Sequence, residues 1–126
     1  MSNRKVKSTL IKGGIVDKNG MMYSKRILKK RVKNLENKPV LDKFNVRKRL
    51  GYIESAKYKD GIIIVSMDID SNKIMNKVLR SSMRPAIRKI KSHQKIIGGK
   101  MVDVIDDFEF ISVGIISKET DIYEKE

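Results

Sequence analysis

The chain has 126 residues, carries a formal net charge of +14 and contains no Cys. That length suits one domain with a modest core, and the lack of thiols excludes a disulfide framework and any thiolate metal site. No run approaches the roughly 18 apolar residues of a membrane span, and no apolar stretch follows the basic Met1-Ser2-Asn3-Arg4-Lys5 as a secretory leader would require, so an intracellular, soluble protein without a membrane partner is expected.

Residues 5–12, Lys-Val-Lys-Ser-Thr-Leu-Ile-Lys, have a β-permissive pattern ending at Gly13-Gly14, which predicts a first strand and a bend. Asp17-Lys18-Asn19-Gly20 reads as a turn. Ser24 is placed to cap a helix over 25–36, because Ile27, Leu28, Val32 and Leu35 share one face while Lys25, Lys29, Lys30 and Lys33 lie largely elsewhere. Asn37-Lys38-Pro39 ends that helix. Leu50 to Tyr58 then runs as a strand into Lys59-Asp60-Gly61, a hairpin signal, and the chain returns through Ile62 to Ile69. The return strand opens with a continuous apolar run, the pattern of a central strand covered on both faces.

Ser71 is placed to cap a second helix over 72–81, with Ile74, Met75, Val78 and Leu79 on one stripe and Pro85 as its breaker. Met83 to Arg88 is expected to leave it as an extended segment. Residues 89–100 mix basic and polar side chains with Gly98-Gly99 and read as a mobile loop or turn. Two more strands are expected over 101–105 and 108–116, with Asp106-Asp107 as the bend between them, and 118–126 is a charged tail expected to fray. The order predicts a single α+β domain over 1–126. It should have two principal helices, at about 25–36 and 72–81, and a mainly antiparallel sheet curling into a small barrel.

The charge is unevenly spread. Residues 1–50 hold sixteen Lys and Arg against three acids, whereas 101–126 hold two against eight. A basic surface of this kind suits phosphate backbones, an acidic protein shell or an acidic membrane face. Lys25, Lys29, Lys30 and Lys33 on the first helix, with Arg47, Lys48 and Arg49 farther on, are the candidate partner-binding residues. Of the seven aromatics only Phe44 lies in a basic cluster, while single-strand stacking needs several interleaved with the charge. The acids Asp103, Asp106, Asp107 and Glu109 match no calcium-loop spacing, so neither a metal nor a cofactor is expected.

Three stretches in this order resemble the prohead proteases of tailed bacteriophages, which cut scaffold and capsid precursors inside the immature head. Asn19-Gly20-Met21-Met22-Tyr23-Ser24 before Ile27-Leu28 is similar to that family's Asn-Gly-Arg-x-Tyr-Pro motif, with Met21 in place of Arg and Ser24 in place of Pro. Lys38-Pro39-Val40-Leu41-Asp42, Leu50-Gly51-Tyr52-Ile53 and Asp60-Gly61 resemble the segment that carries an Asp-His pair before a Gly-containing strand and a hairpin. Val104 to Ile115 is close to the closing strand. The likeness spans about 13–117 and implies a herpesvirus-protease-like β-barrel with flanking helices, acting in the host cytoplasm within or on the phage head.

A serine protease needs a hydroxyl nucleophile and an imidazole within hydrogen-bond reach to take its proton. The resemblance sets Asp-His on Asp42-Lys43, and the nucleophile segment on Met83 to Arg88, where Pro85 or Ala86 takes the Ser position and Arg88 that of an oxyanion-side Arg. A rebuilt site would draw on Ser81 or Ser82 with Lys43 as a desolvated base. His93 is the sole His, and it follows the nucleophile segment in sequence. The leading expectation is a non-catalytic head-morphogenesis protein that binds phage scaffold or capsid protein. An active diverged serine endopeptidase and a small basic nucleic-acid-binding protein, contacting DNA through the N-terminal half, are the alternatives.

Overall fold

A computed structural model of the protein describes residues 5–70, Val78 and 81–116. Among them the chain forms β1 (Lys5–Lys12), β2 (Met21–Tyr23), α1 (Lys25–Arg31), β3 (Pro39–Asp42), β4 (Arg49–Lys59), β5 (Ile62–Ile69), β6 (Ser82–Ile97) and β7 (Lys100–Ile116), with a 3₁₀ turn at Val32–Leu35 after α1. The strands build one sheet in the order β1-β5-β4-β3-β7-β2, with β6 running along the other edge of β7. It curls into a half-barrel rather than a closed barrel. The pairs β1–β5, β5–β4, β4–β3 and β6–β7 are antiparallel, whereas β2 and β3 both run parallel to β7.

The expected first helix is shorter than 25–36. Ser24 does cap it, its hydroxyl accepting the Ile27 N–H at 3.3 Å, and Ile27 and Leu28 enter the core. After Arg31 the chain tightens into the 3₁₀ turn, whose threefold repeat keeps Val32 and Leu35 on the same buried side. Asn37 then takes a positive φ of 68° and ends the segment. The second helix expected over 72–81 lies outside the described residues apart from Val78, which is helical and 3 % exposed. Among the described residues the fold is mostly strand with one short helix, so two principal helices are not supported, and the second of them falls on residues outside that description. The tail expected to fray over 118–126 also lies outside the described residues.

β5 has strands on both sides, as its sequence suggests, yet it is not covered on both faces. Ile63, Val65, Met67 and Ile69 are fully buried while Ile64 is 37 % exposed. The apolar run hides an ordinary in–out alternation, because outward Ile62 and Ile64 are apolar too.

The largest difference concerns 89–100. These residues form no loop: β6 and β7 are long partners joined at Gly98-Gly99, both with positive φ as a tight hairpin turn requires. Nor does β7 break at Asp106-Asp107. Lys89 pairs with Phe108, Lys91 with Asp107 and Ser92 with Ile105, so Ile90 and Asp106 are each one extra residue on opposite strands. Two offset bulges take the place of the expected bend. At the middle of β7, Phe108 meets Tyr23 and Phe110 edge to face, at centroid separations of 5.2 and 4.7 Å, and this trio is the aromatic centre of the core.

Candidate functional site

β7 carries β3 on one side and β6 on the other near its C-terminal end. Leu41 and Arg84 both lie opposite Gly114, and Asp42 and Met83 both lie opposite Ile115. Two segments some forty residues apart in sequence are thereby held across a single strand, their backbones roughly 10 Å apart. These are the two segments that the resemblance puts at the base and at the nucleophile.

After Asp42 the chain turns through Lys43 and Phe44, with φ of 50° and 62°. Two successive non-Gly residues in this region are strained and need outside support. The Lys43 N–H donates to the Ile115 carbonyl at 2.9 Å, which extends the β3–β7 ladder, while Asp42 N to Lys48 O and Asn45 N to Asp42 O, both 2.9 Å, close the loop. The turn sets the Phe44 ring on Gly114, where a Cβ would come within 2.5 Å of it. Gly114 is thus the hollow that seats the ring, and a Gly inside an apolar strand is the sequence signal for such a close approach.

Phe44, Arg84, Pro85, Ala86 and Ile87 share a cleft of about 370 Å³ with Asp17, Asn19, Met21 and Tyr23. Asp17 is 7 % exposed. Its Oδ1 accepts from the Asn19 N–H at 2.8 Å and the Met21 N–H at 3.1 Å, fixing the turn expected there. Burial pushes its carboxyl above the usual carboxylate range, and those two hydrogen bonds and the Arg84 charge only partly oppose this. Among the described residues no imidazole and no Ser hydroxyl lines the cleft. What its walls provide is a mixed apolar and charged recess, suited to holding a side chain and without a proton acceptor paired to a nucleophile.

The other candidate residues are dispersed. Ser82 begins β6 opposite Ile116 and is 9 % exposed; Ser81 precedes it, half-buried. Lys43 stands at the same end of β7 but is exposed, whereas a lysine base needs burial to strip solvent from its ammonium. His93 lies far along β6, opposite Val104, with Nδ1 2.6 Å from Asp106 Oδ2. The Asp106 bulge aims that carboxylate at His93. Arg88 pairs with Glu109 at 2.7 Å.

Of the partner-binding set, Lys25 lays its stem over Gly13 and Gly61, Lys33 is 3.8 Å from Glu36, and Lys29 is exposed. Arg49 donates to the Gly51 carbonyl at 3.2 Å and lies over the Tyr52 ring. Arg47 and Lys48 are exposed on the turn after Phe44. Lys30 lines a second, larger groove of about 720 Å³ between α1 and the β6–β7 hairpin, with Arg26, Ile27, Lys91, Ser92, His93, Asp106 and Asp107. Arg26 and Lys91 escaped the sequence reading, since Lys91 fell in a stretch taken as a loop. Arg31, also unforeseen, grips Asp107 with Nε at 2.9 Å and Nη2 at 3.0 Å from its two oxygens, which holds that carboxyl below its ordinary range.

No protein-family model matches the chain, and neither does any curated protein. The fold is similar to that of a capsid assembly protease. Among solved structures it is similar to the bacteriophage T4 capsid assembly protease, gp21, with a TM-score of 0.61 and 14 % identity, over 90 % of this chain and 81 % of that one. No helix among the described residues is long and apolar enough to cross a membrane.

Proposed function

We propose that the protein acts in phage head morphogenesis, within or on the head, by binding scaffold or capsid protein without cleaving it. The observation that carries this reading is the lining of the cleft: Phe44, seated on Gly114, shares an open recess with Pro85 and Ala86, the positions that the resemblance gives to the nucleophile. The likeness in fold to the T4 capsid assembly protease supplies the setting. Exposed Arg47 and Lys48 on the Phe44 turn are positioned to meet acidic side chains of a partner whose apolar residue enters the cleft.

A second reading is an active endopeptidase. It is favoured by one observation, that Lys43 and Ser82 flank the same end of β7. Incubation of the chain with the scaffold and capsid proteins of its phage, followed by intact-mass analysis and co-sedimentation, separates the two. Binding with intact partners, unaffected by Ser82→Ala or Lys43→Ala but weakened by Arg47→Glu with Lys48→Glu, is the expected result. Discrete fragments that vanish in Ser82→Ala would establish the protease instead.

A further inference from the structure

The groove between α1 and the β6–β7 hairpin is a separate surface from the cleft, and its charge is unbalanced in an informative way. Two carboxylates face it, and both are engaged: Asp107 is gripped at both oxygens by Arg31, and Asp106 is paired with His93. That leaves Arg26, Lys30 and Lys91, all exposed and, among the described residues, without a hydrogen bond or a close ion pair, Lys30 reaching Asp107 only through its longer-range charge. Arg26 and Lys30 are four residues apart, just over one helical turn, so both project from the same side of α1. Lys91 comes from the opposite wall, and three cations converge on one trough.

We infer that this groove binds the phosphate backbone of duplex nucleic acid. Two features select that occupant over others. The first is charge complementarity: cations from a helix and from a hairpin facing one trough can bracket a row of phosphates, and two of the three are Lys, which meets phosphate as a point charge. The second is what the walls lack. Among the described residues no aromatic side chain lines the groove, so they offer no platform for the unstacked bases of a single strand. Ile27 is the one apolar residue among the described lining residues, which offers little to the anchor side chains of a peptide. Contact is then through phosphates alone and carries no base specificity. This inference stands whether or not the cleft binds protein.

The test uses the full chain and a short, fluorescently labelled duplex of mixed sequence, with anisotropy read at about 50 and about 200 mM salt. The groove variant is Lys30→Glu with Lys91→Glu. The control, Lys7→Glu with Lys57→Glu, makes the same charge change at exposed positions on the β1–β5–β4 side of the sheet. Wild type should bind the duplex, and the groove variant should lose about tenfold or more at the lower salt with a log–log salt slope shallower by nearly two contacts. The control should stay within about twofold of wild type, as remote screened charges allow. Lys30→Gln with Lys91→Gln, which adds no repulsion, should fall between the two. Equal losses in groove variant and control would show diffuse attraction and overturn the assignment. So would tighter binding of a single strand of equal length, no duplex binding at the lower salt, or Lys30- and Lys91-dependent binding of poly-glutamate in place of the duplex.

Discussion

The two ends of β7 belong to one strand but make opposite kinds of surface. Around Val113–Ile115 it is flanked by β3 and β6 and roofed by Phe44, so its neighbours are mostly apolar and the recess is small. Around Asp103–Asp107 it pairs with the exposed part of β6 and with the short β2, and its carboxylates are spoken for by Arg31, His93 and Lys89. Among the described residues, Arg26, Lys30 and Lys91 remain at that end without a hydrogen bond or a close ion pair. The contrast teaches that one strand can border an apolar recess at one end and a cationic groove at the other. What differs is the supply of residues from β3, α1 and β6.

Phe108 joins the two ends, and its removal should have the largest effect. Phe108→Ala empties a fully buried site against Tyr23 and Phe110 and should cost about 3–5 kcal/mol in denaturant unfolding, weakening both surfaces together. Gly114→Ala is more local. Its Cβ must displace the Phe44 ring, so a loss of about 1–3 kcal/mol is expected, together with weaker partner binding at the cleft and unchanged duplex binding at the groove. If both surfaces fail, the ends are coupled more tightly than their separate neighbours imply. Ser24→Ala removes the cap of α1 and should cost about 1 kcal/mol, blunting the groove more than the cleft.

Two pH experiments sharpen the comparison further. Asp107 has a lowered carboxyl pKa because Arg31 bonds its charged form. Its stabilising contribution is therefore fully present above the ordinary value of 3.8 and is lost as pH falls through the lower folded-state value. Arg31→Ala should flatten that part of the stability–pH curve. Asp17 behaves in the opposite sense: burial raises its pKa, so its charge destabilises the fold above the raised value and ceases to do so as pH falls through it. Asp17→Asn keeps an oxygen for the Asn19 and Met21 N–H groups, and a small rise in melting temperature at neutral pH is the expected result. A fall would mean that the Arg84 charge outweighs burial.

Much of the strand framework and the helix cap was legible in the chain. β1 was read to the residue, the Asp60-Gly61 hairpin was read from its turn, and the Ser24 cap from the stripe of Ile27, Leu28, Val32 and Leu35. These signals are local: turn chemistry, capping and short-range periodicity act within a few residues. The β6–β7 hairpin was not legible beyond Arg88, because from Lys89 to Ile96 every β6 residue is exposed. A strand open to solvent on both faces has no alternation to display. Likewise Phe44 read only as an aromatic in a basic cluster, and its role depends on Gly114, seventy residues away. Sequence by itself determined most of the strands, the capped basic helix at Ser24 and an excess of cations, while it overstated the helical share. Only the tertiary structure decided which of those cations keep a partner and which two segments meet across β7, because ion pairing and strand register depend on residues brought together from distant parts of the chain.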